Sequence, residues 1–310
     1  MNEQPDQQQA IVAAESALDD GDPAKAFELL SPYFQAGLVP RALWLVARVL
    51  TRGEQPAQSL DLFKQAFERD PTLPFVEIGV AGKSHSFRDV PESRSLLGFA
   101  REFYDDIYGL ADLELGGGDV FVDVGANVGF VAISVASRFP DARVIAFEPA
   151  PKTFDILKRN LRENGIENVT AINKAVNADG RDLELMVMHG DSGASNAFGS
   201  DAVVRRFQSE NLGELVRVEA TTLDEVFDEY GIARCAVVKL DCEGAEHEIL
   251  RKTGILERID RIVMELHIDL SDLENTSTEE FTRAFLADVR GRVGRPPEIN
   301  VASVVGVRNE

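Results

Sequence analysis

Four short runs in this 310-residue chain carry residue types whose order and spacing can do chemistry. The first is Asp123-Val124-Gly125-Ala126-Asn127-Val128-Gly129, a glycine turn directly after an apolar run. Glycines let a backbone approach a ligand closely, and open α/β sheets bind ligands beyond the carboxyl ends of their strands, where strand order reverses. A dinucleotide fingerprint reads G-x-G-x-x-G, its middle glycine making room for a diphosphate. Here Asn127 stands at that middle position and Asp123 adds a negative charge nearby. A phosphate-free, cationic ligand suits this turn better. S-adenosylmethionine carries an ammonium and a sulfonium and has no phosphate.

The second run is Phe147-Glu148-Pro149, with Glu148 23 residues after Gly125. An acidic side chain about 20 residues on, at the next strand end, accepts hydrogen bonds from ribose hydroxyls. Alone it reads as a solvated charge; at this distance from the glycine turn it reads as a ribose ligand. The third run, Lys239-Leu240-Asp241-Cys242-Glu243-Gly244-Ala245-Glu246, gathers carboxylates at a further strand end. Acidic residues there also suit a helix N-terminus, and Glu246 is expected to be a capping residue. Cys242 is expected to be a small packed side chain rather than a nucleophile. The fourth run is Glu265-Leu266-His267. A histidine at a strand end beside such a site is a candidate general base, although a lone histidine is as readily structural. Asp241, Glu265 and His267 together could ligate a divalent ion, but no metal-ligand spacing is present and no metal is expected.

These residues need elements to hold them. From Asp119 onward, apolar strands alternate with helices. Strands are expected at 120–124, 143–147, 169–174, 236–241 and 261–267, with helices at 129–139, 150–164 and 245–252 between them. The tail adds a helix over 279–289 and an apolar stretch over 299–307. Strands that are continuous apolar runs separated by helices indicate a parallel sheet covered on both faces. Residues 182–222 read as extra strands around the loop Gly190 to Asn196, too long and polar for a simple crossover. Ahead of this, Gln7 to Asp70 shows helical spacing and an internal repeat. Pro23-Ala24-Lys25-Ala26-Phe27-Glu28-Leu29-Leu30 is echoed 33 residues later by Pro56-Ala57-Gln58-Ser59-Leu60-Asp61-Leu62-Phe63. Each copy follows a glycine turn and sets proline at a helix start, where its missing N–H costs nothing. The period resembles that of tetratricopeptide repeats. Such a pair would pack on the catalytic domain, a protein partner or a second copy, or serve as a plain helical cap. Asp70 to Pro74 reads as a linker. Glu92 to about Leu115 reads as one helical segment with Phe99, Phe103, Ile107 and Leu110 on one face, and with Tyr104 and Tyr108 able to edge a pocket.

Composition bounds the partners. The net charge of −21 repels phosphate backbones and anionic lipid, so nucleic acid and membrane-surface partners are not expected. Two cysteines make no disulfide framework. Met1 to Ala10 is polar and lacks the pattern of a secretory signal, and no apolar run nears the ~20 residues of a membrane span. A cytoplasmic protein is expected.

The first three runs, with Thr222-Leu223-Asp224 between the second and third, resemble the FkbM-type S-adenosylmethionine-dependent methyltransferases over about residues 92–270. The resemblance implies a class I methyltransferase fold: a Rossmann-like, mostly parallel sheet with helices on both faces, here preceded by a small all-helical domain. It implies S-adenosylmethionine as cofactor and O-methylation of a hydroxyl on a sugar, glycan or polyketide-like metabolite. By the same resemblance Asp123, Gly125, Asn127 and Glu148 would hold the cofactor, with Asp241 near the methyl group or its acceptor. Ala126, Gly129 and Pro149, which flank these residues, are further cofactor-binding candidates, and Asp241, Glu243 or His267 is expected to orient and deprotonate the acceptor. Cys242 replaces a commonly aliphatic position, the tail is short, and the helical front lies outside the family pattern. The expected domains are 1–72 for the repeat pair, 73–117 for a linker and helical lead-in, and 118–310 for the catalytic domain. Two other classes remain open: a nicotinamide-dependent oxidoreductase, and a non-catalytic scaffold whose repeats bind a partner.

Overall fold

Where the chain turns from helices to alternating strands, its packing also divides. The computed structural model describes residues 7–35, 37–90, 93, 95–190, 192, 210, 212–269, 273 and 276–307. It forms two compact units, Met1–Tyr104 and Asp105–Glu310.

The first unit starts with four helices, α1 (Gln7–Asp19), α2 (Pro23–Leu30), α3 (Pro40–Arg52) and α4 (Pro56–Arg69). The two sequence copies are α2 and α4, each with its proline in the first turn. Asp22 caps α2 by accepting from the Lys25 N–H at 2.8 Å. A hairpin follows that the sequence reading did not anticipate: β1 (Val76–Val80) pairs antiparallel with β2 (Lys83–Phe87) around Ala81-Gly82. Glu77, the second residue of β1, is buried, and its carboxylate accepts from Arg48 Nε at 2.8 Å and Arg52 Nε at 2.7 Å. Helix α5 (Ser95–Tyr104) ends the unit.

The expectation of one helical segment from Glu92 to Leu115 needs correction. Glu92 lies outside the described residues, and the helix stops at Tyr104. Asp106 has φ +51, and its carboxylate accepts from the N–H groups of Leu110 and Ala111 at 2.6 and 3.0 Å, replacing helical hydrogen bonds.

The second unit is built on a six-stranded sheet. Its strands are β3 (Val120–Val124), β4 (Arg143–Phe147), β5 (Val169–Ile172), β10 (Cys235–Leu240), β11 (Ile259–Asp269) and β12 (Glu298–Val307), in the order β12-β11-β10-β3-β4-β5. All five pairings are parallel. Helices α6 (Phe130–Arg138) and α7 (Pro151–Glu163) link β3 through β5. On the other side, α9 (Glu246–Lys252) links β10 to β11, and α10 (Thr278–Gly291) links β11 to β12. The two halves run outward in opposite directions from the centre, so right-handed crossovers place their helices on opposite faces. This is the class I, Rossmann-like architecture. Order reverses between β3 and β10, which lie in register with Asp123 beside Lys239 and Val124 beside Leu240.

Beside the main sheet, β6 (Ala175–Asn177) pairs with β9 (Ala220–Thr222), and β7 (Leu183–Met188) pairs antiparallel with β8 (Gly213–Val218). Helix α8 (Leu223–Glu229) starts with a capping box in which Thr222 and Glu225 each bond the other's backbone N–H. Asp224 accepts from the Thr253 hydroxyl and the Gly254 N–H, so the Thr222-Leu223-Asp224 run ties elements together. The core joins the inner strands to α8, α9 and α10, with Phe147, Phe227, Leu240, Ile249, Ile262 and Phe285 all fully enclosed. Among the described residues, no helix is long and apolar enough to cross a membrane.

Candidate active site

The glycine turn sits at the reversal point because both neighbouring strands deliver their ends there. Gly125 has φ +79, and its N–H and that of Ala126 both donate to the Phe147 carbonyl, at 3.0 and 2.8 Å. A Cβ on Gly125 would lie 1.8 Å from the Asp241 carbonyl oxygen, so only glycine lets β3 and β10 end this close together. Asn127 adopts φ +51, a region asparagine tolerates. Its Oδ1 accepts from the Val128 N–H at 2.6 Å, and its Nδ2 donates to the Ser192 carbonyl at 2.7 Å. Of the loop expected over 190–196, Gly190 and Ser192 are described and the other positions lie outside the described residues. Gly129, with φ +91, precedes α6, and the buried Asn160 amide donates to the Val128 carbonyl.

Glu148 stands at the end of β4 beside this turn. One carboxylate oxygen accepts from the Asn127 N–H at 2.9 Å, the other from the Ala150 N–H at 2.8 Å. Each oxygen keeps a further lone pair. Burial pushes the Glu148 carboxyl up to about 7, against the pull of the two N–H groups. Asn173, which sequence reasoning missed, donates to the carbonyls of Glu148 and Pro149 at 2.8 and 2.9 Å and fixes this strand end.

Beneath the turn lies a charged layer. Asp123 is 0% exposed, and neither of its oxygens makes a well-directed hydrogen bond. The ammonium of Lys239 compensates it at 3.2 Å. The pair is a close ion contact with poor hydrogen-bond direction. The same ammonium donates to the Gly125 carbonyl at 3.0 Å and lies 3.4 Å from Asp241 Oδ2. Burial opposes the lysine's charge, but Asp123 and Asp241 hold its pKa well above the ordinary value. Tyr108 donates its hydroxyl to Asp241 Oδ2 at 2.9 Å. Burial raises the pKa of that phenol, so it stays a donor. Asp241, 20% exposed at its side chain, is therefore held through Oδ2. Tyr104 belongs to the first unit, where its hydroxyl accepts from the Gly79 N–H at 3.1 Å.

After β10 the chain makes a strained turn. Glu243 has φ +58, an unfavourable region for a side chain of its length. Glu246 holds it there: fully buried, it accepts from the N–H groups of Cys242 at 2.8 Å and Gly244 at 3.1 Å. Glu246 is the first residue of α9, but it bonds backward to this turn and to His267, beyond the capping role expected of it. His267 is 3% exposed, with Nδ1 3.2 Å from Glu246 and Nε2 3.5 Å from Glu243. Burial works against its charge, but the two carboxylates push it up to about 9. Burial lifts Glu243 to about 7 despite the histidine. Burial also raises the Cys242 thiol well above its usual value, in keeping with an unreactive packed side chain.

Asp241, Glu243 and His267 thus converge, with ligand-capable atoms all within 4.8 Å of one another. Lys239 and Tyr108 complete the group. Lys239 was legible in principle, since a lysine inside an apolar strand needs an anionic partner. Tyr108 reaches Asp241 across 133 residues and carried no spacing signal.

Comparison with known proteins agrees with this geometry. The methyltransferase FkbM domain matches residues 123–292, more than half of the chain. Methyltransferase sdnD of Sordaria araneosa is 32% identical over 170 residues, 48% of this chain and 65% of that protein, so the match spans just under two thirds of its length. The 31-O-demethyl-FK506 methyltransferase FkbM of Streptomyces tacrolimicus is 27% identical over 188 residues, 53% of this chain and 72% of that protein. Hexuronic acid methyltransferase AglP of Haloferax volcanii is 27% identical over 164 residues, 52% of this chain and 62% of that protein. The chain belongs to the FkbM methyltransferase family.

Proposed function

We propose that the protein transfers a methyl group from S-adenosylmethionine to a hydroxyl of a sugar, glycan or polyketide-like metabolite. The observation that carries the donor is the charge at the reversal point. The cation beneath the glycine turn, Lys239, is already engaged by Asp123 and Asp241, which together leave one net negative charge. A diphosphate would find no free cation there among the described residues, whereas a ligand with an ammonium and a sulfonium is complementary. Gly125, Ala126, Asn127, Gly129 and Pro149 would shape the donor's seat, and Glu148 would accept from its ribose with its remaining lone pairs. Asp241 Oδ1 would face the donor's amino-acid end or the acceptor, and Asp123 would act from below through Lys239. S-adenosylmethionine supplies an activated methyl on sulfur, so the protein's work is to position the acceptor and remove its proton.

Among the candidates for that base, Glu243 fits best. It is partly exposed and titrates near 7, whereas His267 at about 9 is a cation at neutral pH. His267 would then hold Glu243 in place and stabilise its charged form. The hydroxyl acceptor rests on the family, whose relatives include enzymes named for a hexuronic acid and for 31-O-demethyl-FK506. The catalytic domain, expected over 118–310, would extend back to Asp105 so as to include Tyr108, and would act without a resident metal; the repeat pair over 1–72 would take a protein partner or a second copy.

The test is radiolabelled methyl transfer to a panel of uronic acids, glycans and macrolide alcohols, with and without chelator. Glu243→Gln should keep donor affinity and lose transfer by about a hundredfold or more, the scale of a lost general base. A Glu243→Gln protein with full turnover would remove the base from Glu243. Turnover abolished by chelator would make Asp241, Glu243 and His267 metal ligands instead.

A further inference from the structure

The mechanism above makes no direct use of the most enclosed cation at the site. Lys239 comes from β10, in register beside Asp123. Its side chain is 3% exposed, and the Tyr108 ring covers it, with the ammonium 5.5 Å from the ring centroid. An ammonium has three protons to donate. Three oxygens surround this one: Asp123 Oδ1 at 3.2 Å, the Gly125 carbonyl at 3.0 Å and Asp241 Oδ2 at 3.4 Å. They belong to the end of β3, to the turn itself, and to the end of β10. A counter-ion for Asp123 alone would need only the first. The Gly125 carbonyl carries no charge to neutralise, and Asp241 is partly open to solvent and has Tyr108 as a second partner.

We infer that Lys239 is a positioning residue of the donor site: one buried ammonium pins the glycine turn to both strand ends and fixes the Asp241 carboxylate through Oδ2. This rests on the reading of the turn as the S-adenosylmethionine seat. The lysine touches no ligand in this role. It sets the direction in which the turn's N–H groups and the Asp241 carboxylate point, and it leaves the layer with a single net negative charge.

A lysine serving only as counter-ion for Asp123 would behave differently when that pair is removed together. Lys239→Met leaves Asp123 buried without compensation and should lower both Tm and donor affinity. The double variant Lys239→Met/Asp123→Asn removes the buried charge and should regain most of the lost Tm. Its affinity for S-adenosylmethionine and S-adenosylhomocysteine should stay at least about tenfold below wild type, the scale of one charge-assisted hydrogen bond. Asp123 exposes no surface to a ligand, so the persisting loss would report Gly125 and Asp241. A double variant that regains wild-type affinity together with Tm overturns the inference and leaves Lys239 a counter-ion. An independent readout needs no substitution. In wild-type protein with 15N-labelled lysine, S-adenosylhomocysteine should shift the ammonium resonance that is protected from exchange, and an unmoved resonance contradicts the proposal. Wild-type protein that binds neither nucleoside removes the donor reading itself, and this inference with it. Binding by the wild type together with full affinity in the double variant removes the inference alone.

Discussion

Glu243 and His267 sit 3.5 Å apart at one sheet edge, and their environment carries both away from their usual values. The carboxyl rises to about 7 because burial disfavours its charge, and the imidazole rises to about 9 because two carboxylates face it. A base must be unprotonated to act, so turnover should rise with pH through about 7. It should fall again as His267 loses its proton near 9, giving a bell-shaped profile whose two apparent values belong to the pair. The acid limb of donor affinity should report Glu148 instead, also near 7. A flat profile between pH 6 and 10 would contradict these assignments. The same shift bears on stability. The folded value for His267 lies above its unfolded value, so its contribution is complete below about 6.5 and is lost as pH rises through about 9. Strain gives a further expectation. Asparagine tolerates the backbone that Glu243 adopts, so Glu243→Asn should abolish transfer while holding or raising Tm, read by calorimetry. At this scale, the types and positions of Asp241, Glu243 and His267 were visible in the sequence. The division of roles among them was not, because it depends on Glu246 reaching back to Cys242 and across to His267.

Elements put these residues in place through a few positions that admit one residue type. Gly125→Ala would drive a Cβ against the Asp241 carbonyl, a backbone atom that cannot yield, so soluble protein and donor binding should both be lost. Gly129→Ala meets the end of the buried Leu157 side chain rather than backbone, so its cost should exceed the roughly 1–2 kcal/mol of the left-handed backbone but stay below that of Gly125→Ala. Thr222→Ala breaks a capping box far from the chemistry and should cost about 1 kcal/mol with turnover unchanged. Thermal melts of the three variants test that ranking. Most of the sheet was legible: β3 and β4 fall at the residues their apolar runs indicate. The hairpin β1–β2 was not, because its turn is Ala81-Gly82 rather than Asn-Gly and because β2, Lys83–Phe87, is a mostly polar run. The lead-in helix was drawn too long because its apolar spacing continues past Tyr104, while the Asp106 side chain quietly takes over the backbone N–H groups.

At the scale of the molecule, the two units rest on different interactions. The first is stitched by a buried charge cluster in which Glu77 joins Arg48 and Arg52. Glu77→Ala would leave Arg48 with Asp19 and Arg52 with the Leu18 carbonyl as remaining partners, and should destabilise that unit by at most about 3 kcal/mol, visible as a lowered calorimetric transition. A melt unchanged from wild type would show the cluster to be dispensable. The second unit is an apolar parallel sheet whose buried charges, among the described residues, gather at the strand ends of β3, β4, β10 and β11. The chain carries a net charge of −21, and the layer of Asp123, Lys239 and Asp241 at the reversal point has the same sign. The central claim is that this seat takes a cationic sulfur nucleoside, and calorimetric titration of the full chain tests it most directly. S-adenosylmethionine and S-adenosylhomocysteine should bind saturably in the micromolar range, with NADH and NADPH showing no heat of binding. Binding of the nicotinamides, or of none of the four, would contradict the account.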